Sequence, residues 1–235
     1  MELRGQVAVV TGGAAGIGRA VAGALADEGA ALVVADVDSD AGRRTAHDVG
    51  GRFVATDVLV DDDLRALIAS AEGLEILVNN AGGAPAPNYP DAPVEHWSRT
   101  LDLNLRSAMV ATQLALEAMT SGGAIVMVSS IAGYGLVPHG APEYAAAKAG
   151  LIRLTGALSP LAETHGVRVS CVCPDRVDTP AYRRGLVSMT DEERASLPEA
   201  VGADEIARLV VDLIRDEGSA GRVVVKPVDG AAFTL

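Results

Sequence analysis

Val7-Ala8-Val9-Val10-Thr11-Gly12-Gly13-Ala14-Ala15-Gly16-Ile17-Gly18 is the stretch that decides the fold. The uninterrupted apolar run Val7 to Val10 is the mark of a strand buried on both faces of a parallel sheet. It passes into a glycine-rich turn, and the turn into a helical pattern (Ala20, Val21, Ala24, Leu25) that stops at Gly29. In this strand–turn–helix context, glycines let the backbone come close to a diphosphate. The amides and dipole of the helix N-terminus then meet its charge. A second strand, Ala31 to Ala35, ends in Asp36. A carboxylate there can accept hydrogen bonds from adenosine ribose hydroxyls. It would also repel the extra phosphate of NADP, and the positions where a basic residue would welcome that phosphate hold Ala15, Val37 and Asp38. A dinucleotide site is expected, with NAD preferred to NADP.

The alternation continues outward from this unit. A polar helix from Ser39 to about Val49 precedes a strand at Arg52 to Ala55. A helix from Asp61 to Ser70 carries three acids in its first turn, as the dipole favours. The strand Leu74 to Val78 runs into Asn79-Asn80-Ala81-Gly82, and a loop with four prolines spans Gly83 to Pro93. Val94 to Thr120 has helical spacing, with Asn104, a poor helix former, in its middle. Strand Gly123 to Val128 ends at Ser129-Ser130, and a loop covers Ile131 to Glu143 ahead of the Tyr144 helix. Pro160 removes an amide near the end of that helix, so a kink or an early last turn is expected. Strand Val167 to Val172, helix Asp204 to Arg215 and strand Arg222 to Val228 complete the pattern. Strands recurring with a helix between them call for one Rossmann-type, doubly wound parallel sheet of about seven strands, with helices on both faces. No repeat, linker or composition break divides residues 1–235, so an α/β chain of one domain is expected, with a substrate loop at about 178–200.

Composition bounds the partners. The chain is 49% hydrophobic and 21% charged, with a net charge of −12 and no basic cluster, which argues against nucleic acid and anionic membrane. No apolar run is long enough to span a bilayer and no signal peptide is visible at Met1-Glu2-Leu3-Arg4, so a cytoplasmic protein is expected. Cys171 and Cys173 lie two apart in a strand and lack partners at metal spacing. They read as buried reduced thiols, and no metal site is expected.

Tyr144-Ala145-Ala146-Ala147-Lys148 carries the chemistry. On a helix, residues four apart share a face, so a phenol and an ammonium can point into one site. A free tyrosine titrates near pH 10, and an adjacent cation is expected to lower that value and suit the group to acid–base work. The pairing stands out because the chain holds 17 Arg and only two Lys.

Taken together and in this order, Thr11-Gly12…Gly16…Gly18, Asn79-Asn80-Ala81-Gly82, the mid-helix Asn104, Ser129-Ser130…Gly133 and Tyr144…Lys148 resemble the short-chain dehydrogenases/reductases, single-domain type, from Thr11 to Gly230. The resemblance implies Tyr144 as acid–base residue and Lys148 lowering its pKa and holding the nicotinamide ribose. It implies Ser130 on the substrate oxygen and Asn104 anchoring a water that links Lys148 to solvent. It further implies Gly12, Ala15, Gly16, Ile17 and Gly18 at the diphosphate, Asp36 at the adenosine ribose, and Asp57 and Val58 at the adenine. Asn80, Ala81 and Gly82 would lie near the nicotinamide ribose, and Pro174, Val177 and Thr179 round the carboxamide. Also implied are a secondary alcohol or ketone as substrate, and a homotetramer, or a homodimer, built on the Asn104 and Tyr144 helices.

Two departures from the family pattern bear on function. Asp175 stands where the family has glycine, a position that often needs an unusual backbone angle, and it would add a carboxylate near the substrate. The 13 residues between Ser130 and Tyr144 exceed the family's usual spacing by about one, so Gly135 to Pro142 should bulge. His139 in that loop could meet substrate. An NAD-dependent dehydrogenase is the leading reading. A dinucleotide-binding relative without catalysis, serving as sensor or partner subunit, and a non-redox enzyme of the same fold are the alternatives. Tyr89, Tyr134 and Tyr182 among small residues favour a compact, mostly apolar alcohol.

Overall fold

The computed structural model describes residues 1–136, 138–187 and 189–235. Val137 and Ser188, which fall in the expected bulge and substrate loop, lie outside the described residues. The strands are Val7–Thr11 (β1), Ala31–Asp36 (β2), Arg52–Ala55 (β3), Leu74–Asn79 (β4), Gly123–Val128 (β5), Val167–Pro174 (β6), Val177–Asp178 (β7), Val201–Gly202 (β8), Val223–Lys226 (β9) and Phe233–Thr234 (β10). The α-helices are Gly16–Asp27 (α1), Ser39–Asp48 (α2), Asp61–Ser70 (α3), Val94–Leu101 (α4), Ser107–Ala118 (α5), Pro142–Ala157 (α6), Leu161–Thr164 (α7), Pro180–Leu186 (α8), Asp191–Ser196 (α9) and Ala203–Arg215 (α10).

Eight strands form one sheet in the order β10-β9-β6-β5-β4-β1-β2-β3. Seven of them run parallel, as expected, and β10 adds an antiparallel edge. That edge was not foreseen, because two residues at a chain end are too short to show a period. β7 and β8 pair in a separate parallel ribbon. Side chains alternate across the sheet. Ala8, Val10, Ala124 and Val126 therefore pack under α1 and α10, whereas Val9, Ile125 and Met127 pack under α3, α5 and α6. Each such buried Val, Ile or Leu contributes roughly 1.5–3 kcal/mol over its exposed state. The chain order reverses between β1 and β4, and at such a switch a crevice opens outside the carboxyl ends of the strands.

Three local outcomes set up the site. The expected Val94–Thr120 helix is interrupted by a π-helical turn, Asp102–Arg106, centred on Asn104. Helix α6 begins at Pro142 instead of Tyr144. Proline suits a first helical position because its missing N–H would be unbonded there anyway, and Glu143 turns inward to accept from the Tyr89 amide at 3.3 Å. At its other end α6 stops at Ala157, and Pro160 caps the short α7, the early ending expected of a proline there.

Candidate active site

The glycine turn closes on itself. Gly12 and Gly16 take left-handed backbone angles, φ 64° and 54°, which glycine adopts at no steric cost. Gly18 is helical and buried, and a Cβ on it would overlap the Gly12 carbonyl oxygen. Gly18 therefore packs α1 against the turn and does not face the cavity, whereas Gly12, Ala15, Gly16 and Ile17 line it. Asn80 braces the same turn, its Nδ2 donating to the Thr11 and Gly12 carbonyl oxygens at 2.9 and 3.0 Å. Thr11 Oγ1 accepts from the Asn80 and Ala81 amides, so the ends of β1 and β4 are tied together. Asp36 accepts from the Ala14 and Asp38 amides, one on each carboxylate oxygen and both at 3.0 Å. A lone pair on each oxygen remains for a further donor.

The cavity that starts here measures about 950 Å³ and runs across the carboxyl edge of the sheet. Asp57, Val58, Ala81 and Gly82 line its middle, and Ser130, Tyr144, Lys148, Pro174, Val177 and Thr179 its far end. Diphosphate-sized backbone cradle, acidic strand end and polar far wall fit an extended dinucleotide. Of the residues expected to carry catalysis or hold the cofactor, Asn104 and Gly18 stand behind its wall, and His139, Tyr89 and Tyr134, expected toward the substrate, do not line it either.

At the far end, Tyr144 and Lys148 share one face of α6. The Lys148 ammonium lies 5.5 Å from the centroid of the Tyr144 ring and donates to the Val128 carbonyl oxygen at 2.8 Å. Ser129, the neighbour of Ser130, anchors α6 by donating to the Lys148 carbonyl oxygen at 2.7 Å. Gly133 lets this contact form, since a Cβ there would collide with the α6 backbone at Lys148 and Ala149. The Ser130 hydroxyl accepts from the Ala132 amide at 3.1 Å and reaches the Tyr144 hydroxyl. His139 stacks on the Tyr144 ring, centroids 5.7 Å apart and planes 30° apart, with Nδ1 within 3.0 Å of the Ala141 amide.

Burial governs the electrostatics. It raises the Tyr144 pKa above the ordinary value of a tyrosine, and the hydrogen bond with Ser130 opposes it only in part. Burial also brings Lys148, 4% exposed, down to about 8. The expected lowering of the tyrosine by the lysine is absent. The ammonium sits over the ring face and against Val128, and desolvation of both groups outweighs their attraction.

Asn104, 1% exposed, directs both amide protons and one oxygen lone pair to the protein. Oδ1 accepts from the Gly83 amide at 2.9 Å, and Nδ2 donates to the Gly83 and Thr100 carbonyl oxygens at 2.7 and 2.9 Å. The π turn gives this buried side chain the room to clamp the loop after β4. Asp175 needs no unusual backbone angle, because no described residue other than glycine has a positive φ. Its amide extends the β9 ladder to the Lys226 carbonyl oxygen at 3.0 Å, and its carboxylate accepts from the Arg176 amide at 2.8 Å.

Sequence reasoning missed Ser129, Arg99, Arg176 and Arg184, all of which line the cavity. The three arginines, of which only Arg184 falls in the expected substrate loop, were visible as letters, but nothing in their spacing separates a cavity guanidinium from a surface one. Among the described residues no group of three or more His, Cys, Asp or Glu could hold a metal, and no helix is long and apolar enough to cross a membrane.

Comparison with known proteins agrees with this geometry. The family model described as "Enoyl-(Acyl carrier protein) reductase" matches residues 12–230. A cis-4-hydroxycyclohexanecarboxylate dehydrogenase of Sinomonas cyclohexanicum is 37% identical, over 96% of this chain and 95% of its own. A 3-beta-hydroxysteroid dehydrogenase of Comamonas testosteroni is 33% identical, over 93% and 92%. A solved short-chain dehydrogenase/reductase family protein superposes with a TM-score of 0.88 at 33% identity, covering 97% of this chain and 98% of that one. A glycine turn on α1, a phenol and ammonium on α6 and this extent of likeness lead to one conclusion: the chain belongs to the short-chain dehydrogenase/reductase family and is an oxidoreductase acting on CH–OH groups.

Proposed function

We propose that the chain moves a hydride between NAD and a secondary alcohol or its ketone, with Tyr144 as the acid–base residue. The observation that carries this is the placement of Tyr144, Ser130 and Lys148 at one end of a cavity whose other end is the glycine turn and Asp36. The nicotinamide, when bound, supplies or accepts the hydride. The protein's own task is orientation and one proton. Tyr144 gives its phenolic proton to the carbonyl oxygen in reduction and takes it from the hydroxyl in oxidation. Ser130 donates to the same substrate oxygen and fixes its position beside the phenol. Lys148, held against Val128, aligns the ring and offers ammonium protons to the nicotinamide ribose. Asn104 acts as a positioning residue, through its clamp on the loop at Gly83.

The Asp36 carboxylate supports NAD over NADP, since it accepts from ribose hydroxyls and repels a phosphate in their place. The segment at 178–200 is the substrate loop in this reading. On α6 the exposed small residues Ala149 and Gly156 support close pairing of copies into a homotetramer or homodimer, whereas Ala108 and Ala111 of α5 are buried in the chain's own core. The two free buried thiols, Cys171 and Cys173, suit a reducing compartment such as the cytoplasm.

The test is a turnover screen with NAD⁺ and NADP⁺ side by side, read by the near-ultraviolet absorbance of the reduced nicotinamide. The panel holds neutral secondary alcohols, hydroxysteroids and hydroxycyclohexanecarboxylates, each acid also as its methyl ester. Turnover with NAD⁺ on at least one alcohol is expected. NADP⁺ preferred throughout would reject the cofactor assignment, and no reduced nicotinamide with any alcohol would reject the reaction.

A further inference from the structure

The cavity holds charge that the reaction at Tyr144 does not use. Arg99 on α4, Arg176 between β6 and β7, and Arg184 on α8 all line it. None of the three makes an ion pair or a side-chain hydrogen bond with any described residue. Pairing is available on α8, for the adjacent Arg183 binds Asp178 through two hydrogen bonds of 2.6 Å. Arg184 is left out of it. Arg176 goes further: its Nε is buried with no acceptor, a state that protein groups rarely tolerate without a purpose. Arg168 also has a buried Nε without an acceptor, but its Nη2 donates to the Ile214 carbonyl oxygen at 2.8 Å and it does not line the cavity.

The carboxylates of the cavity are occupied by contrast. Asp36, Asp38, Asp57 and Asp175 each accept from at least one backbone amide. None lies within ion-pair distance of the three arginines. A guanidinium presents a planar fork of donors that matches a carboxylate in shape and charge. The chain as a whole carries −12, so an anion reaches this cavity against the long-range field, and only local cations can hold it there.

Resting on the dehydrogenase reading above, the geometry points to a substrate that carries a carboxylate besides its alcohol. Arg176 and Arg184 hold the carboxylate while the alcohol oxygen meets Tyr144 and Ser130. Asp175 lines the same cavity beside Arg176, its carboxylate held by the Arg176 amide and not by a guanidinium. The compact apolar alcohol expected from the loop tyrosines thus becomes a hydroxy acid.

Two measurements test this. In the first, protein saturated with NADH is titrated calorimetrically with cyclohexanecarboxylate and with neutral cyclohexanecarboxamide. The carboxylate is expected to bind, and Arg176→Gln or Arg184→Gln to weaken it by roughly ten- to a hundredfold, the weight of a hydrogen bond to a charged group. The carboxamide should be indifferent to both variants, and Arg176→Lys should recover part of the loss. Equal binding of the two ligands, no binding of the carboxylate, or variants that leave it unchanged would each overturn the proposal. A loss of NADH affinity in the variants with no change toward the carboxylate would also overturn it, assigning the arginines to the diphosphate. In the second, each hydroxy acid of the screening panel is compared with its methyl ester, and KM should be lower for the acid. Turnover of neutral alcohols without any preference for acids removes the carboxylate and leaves the dehydrogenase reading intact. Carboxylate binding without turnover of any alcohol does the reverse.

Discussion

Lys148 and Tyr144 show how burial decides what a motif does. Their spacing was legible in the sequence, as were the shared helix face and the serine opposite. Their ionisation was not, because attraction between the two groups competes with desolvation and only the packed structure says which wins. With its pKa raised, Tyr144 holds its proton at neutral pH and is ready to donate to a carbonyl. Reduction should therefore run at a steady rate near neutrality, while oxidation, which needs the phenolate, should accelerate as pH rises toward about 10. Rate profiles in both directions check this, and an oxidation rate that falls over that range would count against the assignment. The same burial links Lys148 to stability. It titrates at about 8 in the folded chain and near 10.4 in the unfolded one. Between those values the unfolded chain binds the extra proton, so this group's contribution to stability rises with pH. Relative to Lys148→Met, the wild type should gain roughly 1–2 kcal/mol between about pH 7.5 and 9.5 in urea unfolding. A constant difference would mean the lysine is not desolvated. Tyr144 works in the opposite sense, its contribution being full below about pH 10 and lost above it.

The elements that carry the site were read correctly where their pattern was periodic, and misread where one side chain overrode the period. Strands β1 to β5 and helices α2 and α3 begin where apolar runs and first-turn acids placed them. The π turn was illegible, since helical spacing continues through Asn104; the only sign was a poor helix former among good ones. Its cause is tertiary, three hydrogen bonds to Gly83 and Thr100. Asn104→Ala removes all three and leaves the Gly83 amide and carbonyl without partners. It should cost roughly 2–4 kcal/mol in denaturant unfolding and lower kcat as the loop at Gly82 loosens. A variant as stable as wild type would mean the turn is held by something else. Gly133 is a second such place, because its need for glycine lies in a contact with α6 that no local rule shows. Gly133→Ala should push the Ser130 segment off α6 and lower kcat more than it raises the KM for NAD.

At the scale of the whole molecule, the alternation of strands and helices made the sheet legible, and the strand order put the crevice at the β1/β4 switch. The arginines inside the crevice were not legible as such, because an acidic chain gathers three of them there only through folding. Asp36 guards the opposite end. Asp36→Asn, which keeps an acceptor but removes the charge, should reduce the preference for NAD over NADP by roughly tenfold or more, read from the ratio of kcat/KM values. Light scattering should give a dimer or tetramer; a monomer at micromolar concentration would refute pairing through α6. The central claim is that Tyr144 handles the proton of a nicotinamide-dependent reaction, and its most direct measurement compares wild type with Tyr144→Phe in single turnovers on a substrate from the screen. The variant should bind NAD as wild type does and lose turnover by roughly a hundredfold or more; hydride transfer at an undiminished rate without the phenol would contradict the account.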